Sequence, residues 1–98
     1  MEADQIAVVE FCSYHHAEES FVISLSESGL VDLVIVNDIA YIPVSQINNL
    51  EKYLRLYYDL NINLEGIETI CYLQNKIEEL SIELLNVKNR LRFYEDAD

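Results

Sequence analysis

Leu60-Asn-Ile-Asn-Leu-Glu-Gly-Ile67 is the stretch on which the organisation of this chain turns. Asn61-Ile62-Asn63 interrupts a helical pattern, and Asn63 is a residue type that caps the start of a new helix by accepting a bond from a free backbone N–H. Glu65 falls in the first turn after it, where the helix dipole favours an acid. Ile62 and Ile67 carry the spacing of a hydrophobic staple across the cap. Beyond the junction, apolar residues recur in alternating steps of three and four: Ile70, Leu73, Ile77, Leu80, Leu84, Val87, Leu91 and Tyr94. That seam predicts one helix from Leu64 to about Glu95, with coiled-coil pairing through Leu73, Ile77, Leu80, Leu84, Val87 and Leu91. Lys76, Glu83 and Arg90 flank the seam on one side, and Ser81, Lys88 and Glu95 on the other. A parallel pair would set Glu83 against Lys88 and Arg90 against Glu95 of a second copy. An antiparallel pair stays open, because each such bridge is worth only a few tenths of a kcal/mol. Ile82, Leu85 and Phe93 lie off the seam and point to a second buried contact. The plainer alternative is an amphipathic helix folded against its own chain.

Upstream of the junction, Pro43 opens a helix over about 44–60, with Ile47, Leu50, Leu54, Tyr57 and Tyr58 inward. Glu51, Arg55 and Asp59 follow one another at four-residue steps, so this helix offsets its own basic charge. Leu33-Val-Ile-Val36, Asn37-Asp38 and Ile39-Ala-Tyr-Ile42 read as a two-stranded hairpin, its register ambiguous because Asn-Asp is a weaker turn signal than Asn-Gly. Before it, residues 17–28 form a helix with Ala17, Phe21, Leu25 and Ser28 on one side, Glu18 and Glu19 in the first turn, and Gly29 as a left-handed C-cap. Ile6 to Val9 is either a short strand or the start of a first helix carrying Phe11 and Cys12 on one face. The expected fold is mainly α: a winged helix-turn-helix with a small two-stranded wing (residues 1–62) and a long C-terminal coiled-coil helix (63–98). The likeness to a DNA-binding layout is of pattern only.

Charge contradicts that layout. The first 51 residues hold no Lys or Arg and nine carboxylates, while residues 52–98 hold nine acids and six bases, within a net charge of −12. DNA affinity depends on cations that neutralise phosphates and release counterions, so the amino-terminal half repels a duplex. The same field disfavours anionic membrane and favours a basic protein surface. An acidic amino terminus and the absence of a long apolar run lead us to expect a cytoplasmic protein without a membrane span. Cys12 and Cys71, without CxxC spacing, read as reduced, buried thiols.

The order of elements, with Val9-Glu-Phe-Cys12, Ser28-Gly-Leu-Val31, the Asn-Ile-Asn-Leu-Glu-Gly-Ile junction and a terminal coiled coil without an effector domain, resembles the MerR-like superfamily. More narrowly it resembles the chaperone-modulator (CbpM-like) family, over nearly the whole chain. The resemblance implies a non-enzymatic inhibitor that binds the J-domain of a co-chaperone, blocks its partnership with an Hsp70-type chaperone, and restrains its DNA binding. A J-domain presents a basic helix, which an acidic competitor complements. The rival class is a MerR-type transcriptional regulator that binds DNA as a dimer, with a positive patch assembled from Lys52, Arg55, Lys76, Lys88, Arg90 and Arg92. A purely structural oligomerisation module is the third.

From this chain's own residues, the partner surface is expected on the outer face of the second helix. Glu19, Ile23 and Ser26 point there, with Glu27 beside them, Val22 nearby and Glu18 at the helix start, an apolar centre with an acidic rim extended by Asp32 and Asp38 of the hairpin. Helix-start stabilisation by the glutamates and solvated loops for the aspartates explain the same residues without a partner. Cys12-Ser-Tyr-His15-His16 offers a metal two or three ligands, but no second cluster completes a site. No cofactor is expected. Two glycines leave no phosphate loop, and no carboxylate spacing singles out an acid–base pair.

Overall fold

Residues 4–96 are described by a computed structural model, with side chains to Glu95. The ambiguity at Ile6–Val9 resolves as both elements in succession: strand β1 (Gln5–Ala7) leads straight into helix α1 (Val8–His15). β1 lies antiparallel to β3 (Ile39–Pro43), pairing Ile6 with Ile42 and Ala7 with Tyr41. The sheet therefore has three strands in the order β1-β3-β2, with β2 at Val34–Val36, and the two-stranded expectation is corrected. The physical reason lies in β3. Its Ile42 is fully buried, and backbone groups on its second edge need partners that β2 cannot reach.

Asn37 and Asp38 both adopt positive φ (53° and 66°), the signature of a type I′ turn. That turn sets the register left open by the sequence: Val36 opposite Ile39, Ile35 opposite Ala40, Val34 opposite Tyr41.

α1 ends where His16 turns left-handed at φ 57°, and the Ala17 N–H closes on the Cys12 carbonyl at 2.9 Å. α2 (Glu19–Glu27) starts two residues later than the periodicity indicated, because Glu18 is extended. Its end follows the expected pattern. Gly29 sits at φ 81°, its N–H bonds to the Ser26 carbonyl at 3.0 Å, and the Leu30 N–H reaches back to Leu25 at 2.9 Å. Two otherwise orphaned carbonyls are thereby satisfied.

Pro43 does not open the third helix; it is the last residue of β3 and pairs with Gln5. A 3-10 turn (Val44–Gln46) intervenes before α3 (Ile47–Leu54), which ends in a wider π turn at Arg55–Asp59. The extra residue per turn changes what faces inward. Leu50, Tyr53 and Leu54 are buried, whereas Tyr57 and Tyr58 stay partly exposed and clasp Phe21, with Tyr57 stacked at 4.1 Å between ring centroids. Tyr53, which the helical spacing did not flag, donates its hydroxyl to the Leu30 carbonyl at 3.2 Å. The expected Glu51–Arg55–Asp59 ladder is absent. Arg55 keeps its helical place one turn after Glu51, its N–H on the Glu51 carbonyl, but the Glu51 carboxylate faces His15 instead.

At the junction, the Asn63 side chain accepts the Gly66 N–H at 2.8 Å, as an N-cap should. Ile67 is fully buried with Val8, Phe11, Cys12, Phe21, Val22, Leu25, Val31, Ile42, Leu50, Tyr53 and Leu54. A Cβ on Gly66 would stand 2.7 Å from the Ile62 Cγ2, which sits near the root of a branched side chain and has little room to move. Gly66→Ala gains up to about 1 kcal/mol of helix propensity but costs about 1–3 kcal/mol in displaced packing. We expect net destabilisation in a urea titration; a more stable variant would show that Ile62 yields freely.

The chain divides into two compact units, Met1–Glu68 and Thr69–Asp98, so the first turn of α4 (Leu64–Asp96) belongs to the first. The second unit is helical up to Asp96. Leu73, Ile77, Leu80, Leu84, Val87 and Leu91 are each 50–63% exposed along it, and Ile82, Leu85 and Phe93 are likewise uncovered. Lys76 pairs with Glu79 at 3.8 Å along the same helix. Among the described residues, no helix is long and apolar enough to cross a membrane.

Candidate protein-docking surface

α2 owes its two faces to simple periodicity. Phe21, Val22 and Leu25 fall within about one third of the helical circumference and are buried; Glu19, Ile23 and Glu27 follow at four-residue steps on the far side and are exposed. Val22 belongs to the core, at 0% exposure, and not to the outer face where its position beside Ile23 had placed it. Ser26 is only half-buried. Ile23, 38% exposed between two glutamates, gives the stripe an apolar centre and acidic ends.

The other candidate residues lie elsewhere. Glu18 precedes the helix, exposed, its backbone N–H donating to the Tyr58 hydroxyl at 3.0 Å. Asp32 lies in the loop before β2, where its N–H donates to the Gln46 side-chain oxygen at 3.2 Å. Asp38 is in the hairpin turn. Helical spacing thus unites Glu19, Ile23 and Glu27; Asp32 and Asp38 bracket the wing strand as a separate feature.

Sequence reasoning missed a cleft of about 400 Å³ lined by His15, His16, Glu51, Leu54, Arg55, Tyr58 and Asp59. His15 Nε2 stands 3.6 Å from Glu51 Oε2 there, and its ring lies 4.3 Å from that of Phe11. The adjacent histidines were visible in the sequence, but nothing in their spacing pointed to residues of α3. Among the described residues no three His, Cys, Asp or Glu side chains gather to hold a metal, and no charged side chain is buried.

Cys12 is buried, and burial, reinforced by the negative charge of Glu19, raises its thiol above the ordinary value. The thiolate is disfavoured in the folded state, so the stabilising contribution is complete below the unfolded-state value and is lost as pH rises towards the higher folded one. With iodoacetamide at pH 8, the half-buried Cys71 should be alkylated first, and Cys12 only on unfolding. Equal rates, read by mass spectrometry of the tryptic peptides, would contradict the burial of Cys12.

On this stripe a DNA reader carries Arg, Lys, Asn or Gln for phosphates and base edges. Here it carries Glu, Ile and Glu, on a half-chain without Lys or Arg. No curated protein and no solved structure matches the chain. The sequence pattern that defines the MerR HTH family regulatory proteins, by contrast, matches residues 6–89, from β1 through most of α4. The three-stranded sheet, the paired helices and the long terminal helix agree with that match, and the chain belongs to the MerR HTH family of regulatory proteins.

Proposed function

We propose that the protein is a non-enzymatic regulator that works by occupying a basic protein surface, and that its target is the J-domain of a co-chaperone, which it inhibits. The observation that carries this reading is the exposed Glu19–Ile23–Glu27 stripe on the helix that DNA-binding relatives of this layout use for recognition. Opposite charge around an apolar centre speeds encounter and fixes orientation on a basic helix, while the same charge repels phosphate. The half-exposed seam of α4 supports a homodimer that presents two such surfaces.

Calorimetric titration of a purified J-domain co-chaperone is the test. We expect saturable binding that weakens as salt rises, and no shift of a DNA duplex at 150 mM salt; DNA binding at that salt with no binding to the J-domain would overturn the proposal. Glu19→Lys together with Glu27→Lys should weaken capture by about tenfold or more, equivalent to about 1.4 kcal/mol. The helix itself should lose at most about 1 kcal/mol from the reversed charge at its start. Unchanged affinity in a chain whose circular dichroism melt is native would move the contact off α2.

A further inference from the structure

The wing carries an opening that its own sheet leaves unused. β2 is an edge strand, with β3 on one side, and Val34, Ile35 and Val36 are all exposed, Ile35 at 63%. In a two-residue hairpin the pair beside the turn exchanges both ladder bonds, and the pattern alternates along the strand. Val36 and Val34 therefore bond towards β3, and the N–H and C=O of Ile35 face outward. Exposed edge strands are usually blunted by Lys, Pro or a bulge. This one has none of these; it is apolar throughout, with Asp32 two residues before it and Asp38 two residues after.

The aspartates discriminate between occupants. Antiparallel pairing of β2 with a second copy, in the register that matches all three residues, sets Ile35 opposite Ile35 and brings Asp32 of each copy towards the turn that holds Asp38 of the other. Like charges gathered at both ends repel, so the flanks act against self-pairing. A foreign strand with Lys or Arg at those two places meets opposite charges instead.

We propose that β2 receives an extended segment of another protein as a fourth strand of the sheet: apolar at its centre, basic about three residues to either side. Main-chain bonds to Ile35 supply the attachment, the Val34–Ile35–Val36 surface selects apolar residues, and the two carboxylates set the ends. This surface lies on the wing and is independent of the α2 stripe and of the target named above.

The test uses the full chain and a fluorescein-labelled heptapeptide, Lys-Thr-Val-Val-Val-Thr-Lys, followed by anisotropy and by amide shifts in ¹H–¹⁵N spectra. Saturable binding centred on the Ile35 amide is expected. Replacing both terminal Lys by Glu, or N-methylating the central Val, should each weaken it by about tenfold or more. Asp32→Asn with Asp38→Asn should remove the preference for Lys over Glu ends while leaving the fold intact. No saturable binding, indifference to N-methylation, equal affinity for both peptide charges, or shifts confined to α2 would each overturn the proposal.

Discussion

A chain carrying Leu80→Asp and Leu84→Asp should sediment as a monomer at concentrations where the unaltered chain forms the dimer we propose. Both leucines lie on the heptad seam, and each exposes more than half of its surface (55% and 56%) on the single chain. Pairing two helices through such a seam removes that surface from water and seats each residue among four of the facing helix. Each Leu contributes roughly 1 kcal/mol or more by burial, and a dimer holds four of them at these two positions. The substitution also presses four carboxylates into the same apolar strip, where an unpaired charge is costly. The total loss of at least about 4 kcal/mol corresponds to a thousandfold weaker association. Two chains still seen by sedimentation would mean that the helix pairs through Ile82, Leu85 and Phe93 or by another route, and that the seam is misassigned.

Ile67→Ala should be the most damaging single truncation at the junction. Ile67 has no exposed surface and is the fourth residue of α4, just beyond the Asn63 cap. Removing three carbons from such a site costs the lost transfer free energy and leaves a cavity, together about 2–5 kcal/mol. Against a total of about 5–15 kcal/mol, that is a large share of the stability of a chain this small. The denaturant midpoint should fall with the slope unchanged, since the folded and unfolded states expose similar areas in both proteins. A loss below about 1 kcal/mol would show that α4 is not anchored through Ile67.

Local chemistry makes much of the chain legible from its sequence. Asn63 caps because its side chain reaches an N–H that has no helical partner; Gly29 turns left-handed because it lacks a Cβ; both effects act within a few residues. The start and extent of α4 were legible for the same reason, since capping and heptad spacing are properties of consecutive residues. The outer stripe of α2 was half legible. Glu19, Ile23 and Glu27 follow from a spacing of four, but Val22 stands only 100° from Phe21, and the width of the buried stripe depends on what packs against it.

The sequence by itself determined the order of elements, the sign of the charge on the amino-terminal half, and the apolar seam of the last helix, all set by neighbours along the chain. Only the tertiary structure decided that Gln5–Ala7 joins the wing as a third strand, that Pro43 closes a strand, that Glu51 faces His15, and that Tyr57 and Tyr58 of the π turn lie on Phe21. These outcomes join residues far apart in sequence, such as Gln5 and Pro43 or His15 and Glu51. They depend on which buried backbone groups and ring faces still need partners once the local elements have come together.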